Sequence, residues 1–167
     1  PVVNKNDAIT ANRLIAHGPD VGTVAEALAS QADVWPTRTP VFVSLGRLVP
    51  TPELMAWSIP ANTAIEIPAQ TLVHRRTRAL MAQLRAAGVG MCLTWYQPGM
   101  ALPAGHDWRF ALIDARGGAA PGASPGLALA WGLPDTAAFR SAVDAGFDGA
   151  SGWFFLHGKP PARTLSP

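Results

Sequence analysis

Short runs of apolar, often β-branched residues recur along this chain, and they constrain its fold more than any other feature. Several runs are continuously apolar, as expected of strands buried on both faces of a sheet. The runs are Val2-Val3, Ile9 to Ile15, Val41 to Leu45, Ala64 to Ile67, Val89 to Thr94, Phe110 to Asp114, Leu127 to Trp131, and Gly152 to Phe155.

Three helical segments lie between some of these runs. The segment 23–31 opens with the Thr-x-x-Glu spacing of a capping box. Residues 69–87 predict the longest helix, with Val73 on its apolar face and arginines on another. A third helix is predicted to begin after a capping Asp135 and to end at Gly146.

Strands that alternate with helices indicate βα units, a parallel sheet and a barrel. The alternation is interrupted at 97–107 and 116–126, which are rich in Gly, Pro and Ala and are predicted to be loops. We therefore expect an α/β protein with a modified, incomplete (β/α) TIM-like barrel.

The composition is that of one globular domain. The chain has 167 residues, 49% of them apolar and 14% charged, which suits a sizeable core and argues against disorder. No apolar run reaches the roughly 18 residues needed to cross a bilayer, and the opening PVVNKND lacks the features of a signal peptide. Cys92 is the single cysteine, which favours a buried core position and a reducing, cytoplasmic setting.

Charged and histidine residues give little sign of a ligand site. The formal net charge is +2, so the arginine face formed by Arg75, Arg78 and Arg85 is expected to be solvated rather than to bind nucleic acid. The four histidines lack metal-ligand spacing. The chain has no GxSxG motif, no P-loop and no Rossmann glycine loop. The sequence therefore indicates neither a metal nor a cofactor.

A series of motifs spans nearly the whole chain. In order they are PVVNKNDAITANRLIAH, VFVSLGRL, AIEIPAQ, LRAAGVGMCLTWY, FALIDA, LALAWGLPDTAAF and GFDGASGWFFLHGKP. Together they resemble the EAL domain family, whose members hydrolyse the bacterial second messenger cyclic di-GMP. The first motif resembles the family's opening hairpin with its Glu-Ala-Leu motif, and the last resembles its Gly-Phe-Asp…Gln-Gly-Tyr…Pro ending. The spacing is most similar to the EAL-like part of proteins in which that part precedes an HDOD domain.

The resemblance also implies a metal site whose residues have been replaced. An active EAL domain uses carboxylates, an Asn and usually two divalent cations that activate water. Of the matching positions, Glu66 and Asp114 are retained. The replacements are Arg13 for the motif's Glu, Ser44 for the Asn, Ala69 for a second Glu, Thr94 and Trp95 for paired aspartates, Leu112 for a Lys, Trp131 and Pro134 for two further glutamates, Ser151 for a Gln, and His17 for a phosphate-holding Arg.

One carboxylate cannot hold two divalent ions. We therefore expect Glu66 to form an ion pair with Arg13 across the barrel mouth, because an unpaired buried charge is costly. Trp95 is expected to project into the mouth and fill it, and Trp131 and Trp153 are expected to lie in the core.

The resemblance sets the domain boundaries as well. Residues 1–158 are expected to form the EAL-like domain, and 159–167 a tail or the start of a linker to a missing C-terminal domain. The segment 116–126 stands where the family has a helix, so we expect the barrel to be incomplete there and to expose an apolar groove.

The leading functional hypothesis is a catalytically inactive, EAL-like regulatory or protein-interaction domain in bacterial signal transduction. Its partner would be another protein or a flanking, HDOD-like domain. The first alternative is a receptor that binds cyclic di-GMP or another nucleotide without cleaving it, through Arg13, Glu66 and Trp95. The others are an active metal-dependent phosphodiesterase with relocated ligands and a nucleic-acid binder that uses the arginine face.

Overall fold

Eight strands close into a barrel, in which neighbours along the chain are also neighbours in the ring. The computed structural model describes residues 1–97, 99–102, 107–116, 118 and 120–154, so His106, His157 and the expected tail 159–167 lie outside the described residues. The strands are β1 (Val2–Asn4), β2 (Ile9–Ile15), β3 (Val41–Ser44), β4 (Thr63–Pro68), β5 (Gly90–Tyr96), β6 (Phe110–Asp114), β7 (Leu127–Trp131) and β8 (Gly149–Ser151).

The ring is parallel except at β1. Strands β2 to β8 pair in parallel, whereas β1 pairs antiparallel with both β2 and β8. Val2 lies opposite Ala11 on one side and Ser151 on the other. The expectation of an α/β barrel is confirmed. The expectation that the barrel is incomplete is wrong for the strand ring, because β1 closes it.

The outer layer of helices is reduced. It contains α1 (Val21–Ala29), α2 (Arg75–Ala86) and α3 (Thr136–Asp144), together with 3-10 turns at Ala32–Val34, Pro52–Ala56 and Ala69–Val73. In the described parts of the connections from β5 to β6 and from β6 to β7, no helix is present. No helix among the described residues combines the length and apolar character needed to span a membrane.

Two of the predicted helices begin at other residues than expected. The N-cap of α1 is Asp20, whose carboxylate accepts a hydrogen bond from the Thr23 backbone N–H at 2.8 Å. This bond is the main cause of the lowered pKa of Asp20. The predicted helix 69–87 is divided, because His74 has an extended conformation (φ −79°, ψ 128°) between a 3-10 turn and α2. As a result, Val73 is 74% exposed instead of buried.

The third helix agrees with its prediction. The Asp135 carboxylate accepts a hydrogen bond from the Ala138 N–H at 2.8 Å. Phe139 on its inner face is fully buried. The helix ends just before Gly146, whose φ of +103° lies in the region that favours glycine.

The final strand lies earlier than predicted. It covers 149–151 instead of 152–155, and Phe155 is outside the described residues. A Cβ on Gly149 would lie 2.3 Å from the Val3 carbonyl oxygen, so only glycine allows β8 to approach β1 this closely. Trp153, beyond the strand, is 62% exposed, and the expectation that it lies in the core is therefore wrong.

Side chains alternate between the barrel interior and the surrounding layer, as in other barrels. The outward-facing set packs against the helices in the main core, which includes Ile65, Ile67, Leu80, Leu84, Leu93 and Phe139. The inward-facing set is a smaller cluster formed by Val2, Ala11, Phe42, Ala64, Cys92, Leu112 and Leu129. This inner cluster is apolar. The charged side chains of Arg13 and Glu66 lie next to it, toward the end of the barrel where the parallel strands finish.

Candidate functional site: the barrel mouth

A pocket opens at the carboxyl ends of the parallel strands, and we call it the mouth pocket. Its volume is about 250 Å³. In (β/α) barrels this end carries the functional side chains, because the connections after the strands converge there. The pocket is lined by Arg13, Ile15, Ser44, Gly46, Thr94, Trp95, Leu112 and Trp131.

Arg13 and Glu66 form a two-bond ion pair next to this pocket. Arg13 Nε donates to Glu66 Oε1 at 2.5 Å, and Nη2 donates to Oε2 at 2.7 Å. Glu66 is 2% exposed and Arg13 28% exposed. The hydrogen bond to Glu66 is the main reason why the pKa of Arg13 is raised. The pair expected from the sequence is therefore present, and it spans β2 and β4.

The ion pair determines which charge faces the pocket. Both Glu66 carboxylate oxygens accept from Arg13, and Glu66 does not line the pocket, whereas Arg13 does. The buried carboxylate is thus covered by a guanidinium. An approaching ligand would meet the arginine and not the acid.

The donor set does not fit the two-cation centre that the resemblance implies. Asp114, the other retained carboxylate, pairs with Arg116, whose Nη2 lies 2.5 Å from Asp114 Oδ2. The hydrogen bond from Arg116 lowers the pKa of Asp114. Within the part of the chain that the structure describes, no three His, Cys, Asp or Glu residues are grouped so that they could hold a metal ion.

Trp95 occupies an unusual backbone position at the pocket rim. Its φ is +57°, a left-handed conformation that a bulky residue rarely adopts. The pairing of β5 with β6 shifts register between Thr94 and Tyr96, so Trp95 is the extra residue of a β-bulge. Its side chain is 54% exposed and meets Trp131 edge-on, with ring centroids 5.2 Å apart. Trp95 therefore forms a wall of the mouth but does not fill it, contrary to the expectation, and the pocket stays open.

Trp131 also contacts Arg116. The Arg116 guanidinium lies 5.0 Å from the Trp131 ring centroid, within the range of a cation–π contact. A Cβ on Gly132 would lie 2.6 Å from Arg116 Cγ, so glycine at this position leaves room for the arginine. Arg116 is thus fixed by both Asp114 and Trp131, and it supports the aromatic wall.

The structure gathers only some of the positions singled out by the resemblance. Arg13, Ser44, Thr94, Trp95, Leu112 and Trp131 line the mouth pocket. Ala69 and Ser151 are buried elsewhere, and Pro134 lines a cleft beside α3. His17 is close to the rim, since a Cβ on Gly46 would lie 3.2 Å from its Nδ1.

Ile15 belongs to the pocket although the sequence did not single it out. It lies two residues after Arg13 on β2, so both side chains point to the same face. That alternation was readable in the sequence and could have identified it.

The other predicted surfaces have simpler roles. The apolar groove expected beside 116–126 is present as a cleft of about 330 Å³ against α3. On the arginine face, Arg78 Nη1 donates to the carbonyls of Leu72 and Val73 at 3.0 Å each, so this arginine caps the 3-10 turn before α2.

The mouth pocket is therefore an aromatic and apolar cavity with one arginine at its edge. Comparison of the chain with protein-family models, with curated proteins and with solved structures finds no match, so the site is interpreted from its geometry.

Proposed function

We propose that this protein is a catalytically inactive, EAL-like regulatory domain in bacterial signalling, which acts through contact with another protein or a flanking domain. One observation carries the proposal. The buried carboxylate that would ligate metal in an active domain, Glu66, is bound through both oxygens by Arg13.

The chemistry of phosphodiester hydrolysis explains why this pair matters. Metal-assisted hydrolysis needs a cation that activates water, and a hard cation such as Mg²⁺ needs several oxygen ligands. A divalent ion at Glu66 would have to displace Arg13 or sit beside its positive charge. The neighbouring positions supply the side chains of Thr94, Trp95 and Leu112, which are poor or incapable ligands for such an ion.

A receptor for cyclic di-GMP is the second candidate, and the exposed Trp95 favours it because tryptophan can stack on a nucleobase. Two features place it below the first proposal. The pocket volume of about 250 Å³ is smaller than the roughly 300–1,000 Å³ of sites that enclose drug-sized ligands. The charge of Arg13, which would attract a phosphate, is already balanced by Glu66.

The experiment is a paired hydrolysis and calorimetric assay of the purified protein with cyclic di-GMP, with and without Mg²⁺ or Mn²⁺. We expect neither turnover nor binding heat. Glu66→Gln serves as the matched control, because it removes the carboxylate while keeping the shape of the side chain. Turnover that disappears in Glu66→Gln would overturn the proposal, and binding without turnover would favour the receptor.

A further inference from the structure

The Arg13 guanidinium retains donors that the ion pair does not use. The pair engages Nε and one N–H of Nη2, which leaves the outer edge of the group, formed by Nη1 and the second N–H of Nη2. Within the described residues, no hydrogen-bond acceptor is found for Nη1. Because Arg13 lines the mouth pocket, this edge offers two parallel donors to a molecule with two adjacent acceptors.

The remaining walls of the mouth pocket suit a flat apolar ring. Trp95 and Trp131 contribute two rings in edge-on contact, and Leu112 and Ile15 contribute aliphatic surface. More than half of the Trp95 side chain is exposed although its backbone is in a disfavoured conformation. Strained residues of this kind concentrate at binding sites, where the surrounding structure holds them in place.

The charges at the mouth cancel in pairs. Arg13 is balanced by Glu66, and Arg116 is balanced by Asp114. A charged ligand would therefore lose its hydration without meeting an opposite net charge, which is costly. An uncharged ligand can use the directional donors of Arg13 without that penalty.

The volume limits the size of the ligand. A cavity of about 250 Å³ accommodates one or two fused rings, whereas a dinucleotide would extend far beyond it.

From these four observations we infer that the mouth pocket binds a small, uncharged, planar heteroaromatic molecule with two adjacent hydrogen-bond acceptors on one edge. The acceptor edge faces the outer N–H groups of Arg13, and the ring packs against Trp95 and Trp131. This inference goes beyond the proposed function, since an inactive regulatory domain works with or without a small ligand.

The test is a calorimetric titration with three soluble probes. The N9–H tautomer of hypoxanthine has adjacent O6 and N7 acceptors, whereas adenine replaces the first acceptor with an amino donor. Benzoate has two acceptors but carries a negative charge. We expect hypoxanthine to bind at least about tenfold more tightly than either of the other probes, because a mismatched polar edge leaves Arg13 donors unpaired.

Two variants locate the site. Trp95→Ala should weaken hypoxanthine binding by about tenfold or more through loss of ring contact. Arg13→Lys should retain the charge but remove the paired donors, so that hypoxanthine and adenine bind equally. Trp153→Ala is the matched control, because this exposed tryptophan does not line the pocket. Thermal melts followed by circular dichroism confirm that each variant is folded.

The outcomes that overturn the inference are separate from those that concern catalysis. Absence of hypoxanthine binding at millimolar concentration, tighter binding of benzoate, or unchanged affinity in Trp95→Ala each contradicts it. None of these results depends on cyclic di-GMP turnover, so the proposed function stands or falls independently.

Discussion

Removal of Arg13 provides the sharpest test of how the barrel mouth is held together. In Arg13→Met the aliphatic volume is largely kept, but Glu66, which is 2% exposed, loses both of its hydrogen-bond donors. A buried charge without a partner is strongly destabilising, whereas replacing both members of a buried pair with apolar residues is often neutral. We therefore expect Arg13→Met to be destabilised and the double variant Arg13→Met/Glu66→Leu to recover most of that loss.

The expected loss in the free energy of unfolding depends on the state that the unpaired Glu66 adopts in the folded variant. It can remain charged in the core, or it can take up a proton. Protonating a carboxyl of ordinary pKa near 4.3 at pH 7 costs about 3.7 kcal/mol, which sets an upper limit apart from the lost hydrogen bonds. Water that enters through the mouth pocket reduces the cost, so we expect a loss of roughly 2–4 kcal/mol in the free energy of unfolding. For a chain of this size, this lowers Tm by roughly 5–15 °C.

The same argument fixes the sign of the pH dependence. An unpaired buried carboxylate is destabilising only while it is charged, so the penalty in Arg13→Met should be greatest at neutral pH and should shrink as the pH falls. Between pH 7 and pH 5 the difference from wild type should shrink by up to about 2.7 kcal/mol. In the wild type this carboxylate is paired with Arg13, and no such change in stability is expected between the two pH values.

The assay is urea unfolding followed by tryptophan fluorescence at pH 5 and pH 7. Arg76→Met is the matched control, because the Arg76–Glu53 pair is 64% and 46% exposed. Exposed pairs contribute less than about 1 kcal/mol. If Arg13→Met loses no more stability than Arg76→Met and shows no difference between the two pH values, the argument about the buried carboxylate is wrong.

Three further predictions concern the backbone, a cap and the thiol. Because Trp95 has a φ of +57°, Trp95→Gly should be more stable than Trp95→Ala by about 1 kcal/mol in urea unfolding; equal stability would contradict the strain. Asp135→Ala should lose about 1 kcal/mol by the same measurement, since Ala138 N–H loses its acceptor, and an unchanged midpoint would show that the cap is dispensable. Cys92 is fully buried and burial raises its thiol pKa, so it should react with a thiol reagent only in denaturant. Rapid labelling of the native protein would show that the barrel interior opens.

The sequence predicts most of the strands because burial on both faces leaves a strong local signal. β2, β6 and β7 have the predicted bounds. The last strand was misplaced because its residues, Gly149 to Ser151, are small and carry no apolar signal. Their position is set by contact with β1, where Gly149 meets the Val3 carbonyl. That contact joins residues from opposite ends of the sequence, and no local pattern encodes it.

The helix after β4 shows a second limit of periodicity. Apolar residues continue in helical spacing through His74, although the backbone is extended there. The break is stabilised by Arg78, which reaches back to the carbonyls of Leu72 and Val73. A hydrophobic pattern reports which residues face the core, and it is insensitive to a hydrogen bond of this kind.

The mouth was only partly predictable. The Arg13–Glu66 pair could be inferred because opposite charges that face the same barrel interior must pair when they are buried, here across β3 from β2 to β4. The β-bulge at Trp95 could not, since Thr94, Trp95 and Tyr96 continue an ordinary strand composition. The bulge depends on how β5 and β6 match in register, and it determines where the aromatic wall stands.

The antiparallel position of β1 has a consequence for how the chain reaches its folded state. The parallel strands β2 to β8 can assemble progressively, each joining the strand before it. The seam that pairs Val2 with Ser151 requires nearly the whole chain to be in place first. Loop-closure entropy makes such distant contacts slow to form. Until they form, β1 and β8 present unpaired edges that can recruit a strand from another molecule. The three residues of β1 therefore protect this protein from edge-to-edge association once the seam has closed, over and above any contribution they make to its stability.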